Sequence, residues 1–375
     1  MSNAPFDDDR NLNELRLILT PGVGPRTRKN LLEYFGSADE VFRADIYQLC
    51  SVQDVGPKIA DAVLRAKNEI NLERELQFYR EHGIRLLFES DPAYPPLLKG
   101  IFDPPGVLFV RGTLLPEDSV SLAVIGTRHA SNYGERQTFR LVGEFVRAGF
   151  CIVSGLARGI DGFAHKAALD AGGRTVAVLG HGLALDIYPP ENRGLAKRIL
   201  DNNGAIISEF PPLTQASKGT FPQRNRIIAG MTLGTVVIEA GQRSGTSLTA
   251  QFAVDYGREV FAVPGPIDSR VSAGCHQLIR DGARLLESVE DVLNELGPLS
   301  ERIPTQDGLE ISRPAELGLT EPEKHILAAI PHDGATVDQI TQLTGIPVFK
   351  IMTLITSMEM KRLLKRGTGQ RIYRA

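Results

Sequence analysis

Over residues 11–82 apolar positions recur at helical spacing, in short stretches broken by the turns Pro21-Gly22-Val23-Gly24-Pro25 and Val55-Gly56-Pro57. This pattern predicts a small helical domain over residues 1–85. From about residue 86 to 296 the apolar residues gather instead into short, β-branched runs that alternate with helical stretches: SLAVIG, CIVSG, TVAVLG, AIISE, TVVIEA and EVFAVPG. Unbroken apolar runs of this length suit strands covered on both faces, so residues 86–296 are expected to form a parallel, doubly wound α/β sheet. Residues 297–318 are polar, hold three prolines and lack any period, which predicts a linker. Over residues 319–375, EPEKHILAAI, TVDQITQLTG and PVFKIMTLITSMEMKRLL carry a helical period, and RGTGQRIYRA reads as a turn before a last strand. Three helices and a hairpin predict a winged helix.

Composition narrows the function. The chain has 375 residues, with 42 Lys+Arg against 45 Asp+Glu, so an affinity for nucleic acid would have to come from local clusters of cations rather than net charge. Cys50, Cys151 and Cys275 lie far apart with no CxxC pair, which argues against a disulfide framework or a cysteine zinc site and fits a reducing compartment. The acidic start MSNAPFDDDR lacks the basic region of a signal peptide, and no apolar run is long enough to span a membrane. A cytoplasmic protein is expected, with no metal and no cofactor.

In an open α/β sheet, ligands bind where loops leave the carboxyl ends of the strands. After SLAVIG come Gly126, Thr127 and Arg128, with Ser131 and Tyr133 shortly after. A glycine, a hydroxyl, a guanidinium and a helix start make a phosphate-binding set, or else an ordinary strand-to-helix turn with Ser131 as its cap. Arg158 follows the next strand, and Asp161 and His165 stand one helical turn apart, a spacing read as structural rather than metal-binding. Lys218, Phe221, Arg224, Asn225 and Arg226 form the most basic part of this domain. Cations that track a backbone beside an aromatic face suit single-stranded nucleic acid; alternatively, Phe221 is core and the arginines pair internally. Ser244, Gly245 and Thr246 then offer a nest of hydroxyls and amides at the head of another helix.

Five separated motifs, AVIGTRHASNYG, IVSGLARGIDGFAHKAAL, AVLGHGLALDIYPPEN, FPQRNRIIAG and RSGTSLTAQFA, stand in one order over roughly residues 86–290. In that succession the chain resembles the DNA processing protein A (DprA/Smf) family. The resemblance implies an extended Rossmann fold that binds single-stranded DNA, pairs as a homodimer and loads the recombinase RecA onto that DNA during natural transformation, with single-strand-binding protein as a further partner. It also implies that Gly126 and Arg128 grip phosphate, that Lys218 and Phe221 are a charged and stacking pair, and that Arg224-Asn225-Arg226 is a basic signature. Thr127 stands where the family usually has serine, and Gly245-Thr246-Ser247-Leu248 replaces the more usual Gly-Ser-Leu-Ile order.

The flanks resemble the family's accessory domains. The two glycine turns near the N-terminus resemble helix-hairpin-helix (SAM-like) elements, read as structural or auxiliary because Asp7–Asp9 would oppose DNA. In the C-terminal tail Lys361, Arg362, Lys365, Arg366 and Arg371 are candidate duplex contacts, with a solvated basic face as the alternative.

An enzyme of the phosphoribohydrolase group is the competing expectation. Its PGGxGTxxE loop would fall on Glu239-Ala240-Gly241-Gln242-Arg243-Ser244-Gly245-Thr246, which lacks the double glycine and is not followed by a glutamate three residues after the threonine. GxSxG, HExxH and Walker lysine loops are also missing. The sequence is therefore read as a binding protein with no catalytic residue.

Overall fold

The computed structural model describes residues 9–242, 244–296, 321–330, 335–360, 364–366 and 371–374, and the statements below concern these. The 297–318 linker expectation lies outside them. Among the described residues no helix is long and apolar enough to cross a membrane, and all three cysteines are free.

The N-terminal domain holds helices α1 (Asp9–Leu19), α2 (Pro25–Phe35), α3 (Ala38–Arg43), α4 (Ile46–Cys50), α5 (Pro57–Glu69) and α6 (Leu72–Glu81). Pro25 and Pro57 start α2 and α5 after an extended glycine, where a missing amide hydrogen costs nothing. Ser37, Asp45 and Asn71 cap α3, α4 and α6 with their side chains. Leu17, Leu31, Val41, Leu49, Ala60 and Val63 form this domain's core. Leu15, Leu72, Leu76 and Tyr79 instead pack with Phe109, Ala177 and Ile206 of the central sheet. Buried Arg28 ties the two domains by pairing with Glu14 of α1 and with Glu89 at 3.1 Å.

The central domain is a nine-stranded sheet in the order β1-β2-β6-β5-β4-β3-β7-β8-β9. Its strands are β1 (Arg85–Phe88), β2 (Val107–Gly112), β3 (Ser121–Ile125), β4 (Cys151–Ser154), β5 (Thr175–Val178), β6 (Ala205–Ser208), β7 (Gly234–Val237), β8 (Glu259–Ala262) and β9 (Arg284–Leu285). The runs read as parallel strands are β3 to β8, paired in parallel, and β3 to β7 are buried at every position. β1 and β2 extend the sheet antiparallel at one end, and the short β9 joins in parallel at the other. The helices of this domain are α7 (Pro96–Lys99), α8 (Asn132–Arg147), α9 (Ile160–Asp170), α10 (Arg193–Asp201), α11 (Thr220–Gly230), α12 (Gly245–Asp255), α13 (Ala273–Arg280) and α14 (Val289–Glu295). Successive strands β3 to β6 step outward, and the chain then returns through α11 to place β7 beside β3. Loops leaving β3 and β7 diverge, opening a crevice at their carboxyl ends.

A separate core of Ile326, Ile330, Ile340, Ile351 and Ile355 holds α15 (Glu321–Ala329), α16 (Val337–Thr344) and α17 (Val348–Met360) beside the antiparallel pair β10 (Leu364–Arg366) and β11 (Ile372–Arg374). This is the expected winged helix.

Candidate nucleic-acid interface

α11 begins inside the basic run, so residues 220–226 are distributed around a helix rather than along a loop. Phe221, Arg224, Asn225 and Ile228, at i, i+3, i+4 and i+7, share the face that lines a cleft of about 610 Å³. Lys218 stands exposed just before the helix on the same rim. The opposite wall is the β3–α8 loop with Gly126, Thr127, Arg128 and His129; a third side is the head of α12 with Ser244, Gly245 and Thr246. Three cations, Arg128, Lys218 and Arg224, face one carboxylate, Asp161. The Arg128 guanidinium lies 5.3 Å over the Phe221 ring, a cation–π contact across the cleft.

Arg224 belongs to the floor. It is 4% exposed and donates to the Gly155 carbonyl at 2.6 Å and the Val178 carbonyl at 2.5 Å, at the ends of β4 and β5. A side chain at residue 155 would collide with this guanidinium, which explains the glycine there. Burial lowers its pKa to about 10, with Asp161 opposing the shift. It still places positive potential beneath the cleft, while its Nε donates to Asn225 Oδ1 at 3.2 Å and one terminal nitrogen serves both carbonyls.

Four expected contacts need correction or relocation. Arg226, two residues on, points away from the cleft: it is 4% exposed and pairs with Glu209 and, at 3.5 Å, with Asp103. A 200° rotation around α11 separates it from Arg224, and desolvation keeps such a charge only with partners. Ser131 caps α8 by accepting from the Gly134 amide at 3.1 Å and gives its own hydroxyl hydrogen to Glu239. The Tyr133 hydroxyl donates to the Pro264 carbonyl at 2.7 Å. Neither residue lines the cleft. Arg158 lines a neighbouring pocket of about 40 Å³ and pairs with Glu191 at 2.6 Å.

Of the pair Asp161 and His165, the first lines the cleft and the second does not. Burial raises the Asp161 pKa, opposed by Arg224 and by the amides of Ala157 and Gly155. His165 is fully buried, with Nδ1 2.7 Å from Thr175 Oγ1. Thr175 spends its own hydrogen on the Ile152 carbonyl at 2.7 Å, so it accepts from His165 and the proton sits on Nδ1. Burial pushes the His165 pKa down to about 3.

Motif reading missed Tyr188 and Thr249. Tyr188 is 48% exposed, borders both pockets and sets its ring 6.0 Å from that of Phe221. It comes from a loop without periodicity, so only its proximity in space marks it. Thr249 was within reach, being one turn beyond Gly245 on α12.

A family description, DNA recombination-mediator protein A, matches residues 85–297, which is most of the chain and the whole of the nine-stranded domain. The chain belongs to the DprA/Smf family. Its relatives include Protein Smf of Synechocystis, 33% identical with 94% of this chain and 96% of that protein covered, and the DNA processing protein DprA of Streptococcus pneumoniae, 41% identical over 75% and 97%. The solved structure of S. pneumoniae DprA matches with a TM-score of 0.66 and 34% identity over 76% of this chain and 97% of that one. A DprA structure from Helicobacter pylori, described as giving insight into its single-stranded DNA binding mode, matches with a TM-score of 0.51 and 28% identity over 57% and 97%. The flanks of this DprA/Smf chain match as well: a SAM-like helix-hairpin-helix tandem at 14–66 and the DprA winged helix domain at 310–370.

In the winged helix, Lys361 and Arg362 lie outside the described residues. Lys365 and Arg366 fall on β10, and Arg371, just before β11, is half-buried and has a partner. In the N-terminal domain the hairpin residue Asp54 pairs with Arg26 at 2.9 Å, so the two glycine turns are linked to each other by charge.

Proposed function

We propose that the cleft binds single-stranded DNA without chemical change to it, and that the chain delivers the strand to RecA. The observation that carries this reading is the meeting of Arg128, Lys218 and Phe221 around one cleft. Exposed cations there follow the phosphates, and the aromatic face stacks any base. The printed description of the H. pylori structure supports the same ligand. Against an enzyme, the cleft's acid among the described residues, Asp161, is held by the backbone amides of Gly155 and Ala157.

Binding of fluorescent single-stranded and duplex oligonucleotides at several salt concentrations tests this. The single strand is bound preferentially. Arg128→Ala and Lys218→Ala each flatten the salt slope by about 0.7, while Phe221→Ala weakens binding with little change in slope. Equal affinities for the two DNAs, untouched by these substitutions, overturn the proposal.

The finer parts of this reading are a cytoplasmic homodimer that relieves inhibition of RecA filaments by single-strand-binding protein, with Lys361, Arg362, Lys365, Arg366 and Arg371 contacting duplex DNA. Sedimentation mass and a RecA filament assay with single-strand-binding protein check the first two. Alanine at the five tail cations, with duplex affinity unchanged, contradicts the last.

A further inference from the structure

Ordinarily the first strand-to-helix turn of a Rossmann sheet offers a helix N-terminus to a phosphate. Here that position is already filled. Glu239, 1% exposed at the end of β7, sends its carboxylate to the head of α8, where Oε2 accepts from the Ser131 amide at 2.9 Å and Oε1 from the Ser131 hydroxyl at 2.5 Å. Gly134 lies against the same carboxylate, and a Cβ there would collide with it. The Glu239 backbone carbonyl accepts from the Thr127 amide at 2.8 Å. One residue therefore fastens both ends of the segment Thr127–Ser131, and Arg128 and His129 form its exposed apex.

We propose that Glu239 is a built-in anion that takes the phosphate place at α8 and, by clamping both ends of the loop, aims Arg128 into the cleft. This rests on the single-strand reading, with Glu239 as a positioning residue that does not touch the DNA. The charge complements the α8 N-terminus as a bound phosphate would. It also explains why the glycine-bearing turn after β3 serves a loop rather than a nucleotide.

The test measures single-strand affinity and its salt slope for the full chain carrying Glu239→Ala, Glu239→Asp or Glu239→Gln, with melting temperature as the folding control. Glutamine can accept from the Ser131 amide and donate to its hydroxyl, so it keeps affinity within about twofold. Aspartate, shorter by one methylene, loses the grip in part and flattens the slope. Alanine weakens binding about tenfold and flattens the slope by about 0.7, the signature of one phosphate contact. Millimolar formate, compared with chloride at equal ionic strength, refills the vacated site and restores both quantities. A merely structural loss lowers the melting temperature without restoration by formate. The inference is overturned if folded Glu239→Ala binds as the wild type does, if formate and chloride act alike on it, or, should alanine not fold, if aspartate keeps the wild-type slope. A wild-type chain that ignores the strand takes both readings down; wild-type binding with indifferent variants removes this one alone.

Discussion

In the free protein Arg128 covers the face of Phe221 that a base would use, 5.3 Å from the ring centroid. Binding must then replace a cation–π contact with a base–aromatic stack while Arg128 turns to a phosphate. The exchange makes the two residues coupled in a calculable way. Let the stack contribute about 1–3 kcal/mol and the surrendered cation–π contact about 0.5–1 kcal/mol at an exposed site. Phe221→Ala loses the stack but no longer gives up the contact, so its net cost is about 0–2.5 kcal/mol. Arg128→Ala loses its phosphate contact and is spared the same term. The double variant loses both gains and is spared that term only once. Its cost exceeds the sum of the single costs by the cation–π term, about 0.5–1 kcal/mol, or roughly a two- to fivefold excess in Kd. Anisotropy titrations of the four proteins against one poly-pyrimidine strand, at a fixed salt concentration, read this excess directly. Strict additivity, or a double variant milder than the sum, refutes the exchange and leaves the base stacking elsewhere, with the exposed ring of Tyr188 as the nearest surface.

Three other outcomes follow from the buried charges. Arg226→Met strands Glu209 and costs about 3–5 kcal/mol of stability in chemical denaturation, while the salt slope of DNA binding stays put; a changed slope would return Arg226 to the interface. The folded chain keeps His165 neutral down to about pH 3, whereas the unfolded chain protonates it near 6.5, so its contribution is present above 6.5 and is lost as pH falls. Glu209 is raised by burial from 4.5 to about 7, so its contribution has the opposite sign, present below 4.5 and lost as pH rises through 7. Relative to the wild type, His165→Gln makes stability rise as pH drops from 6.5 to 4.5, and Glu209→Gln makes it fall, each by up to about 1.4 kcal/mol per unit; parallel pH curves for all three proteins contradict the assignments. Finally, Arg28→Ala leaves Glu14 and Glu89 facing each other at the domain junction, and proteolysis between α6 and β1 should quicken without loss of single-strand affinity.

Much of this architecture was legible because burial on two faces leaves a plain trace: β3 to β8 are the very apolar runs that stand out in the chain. The antiparallel extension by β1 and β2 was not, since RLLF and VLFVRG lie before the first of the β-branched runs, and β6, the strand that β2 joins, is more than ninety positions away from it. Within the site, residue types are legible in the string and directions are not. Arg224 and Arg226 look equivalent in a string, yet on α11 one supports the cleft floor and the other is paired in the interior. Helical spacing from Phe221 would have separated them. Ser131 looked like a phosphate ligand because the sequence cannot reveal that Glu239, more than a hundred residues on, already supplies the anion.

The floor of the cleft has a thermodynamic side. Because Arg224 is bonded to carbonyls at the ends of β4 and β5, that surface is as fixed as the sheet beneath it, and a strand settling there orders nothing below itself. On the proposed reading the freezing of motion falls instead on Lys218 at the rim, a long side chain that carries about 2 kcal/mol of rotamer freedom, since Arg128 already rests on Phe221. On that reading, tethering Lys218 in its bound orientation is a route to tighter binding that adds no contact.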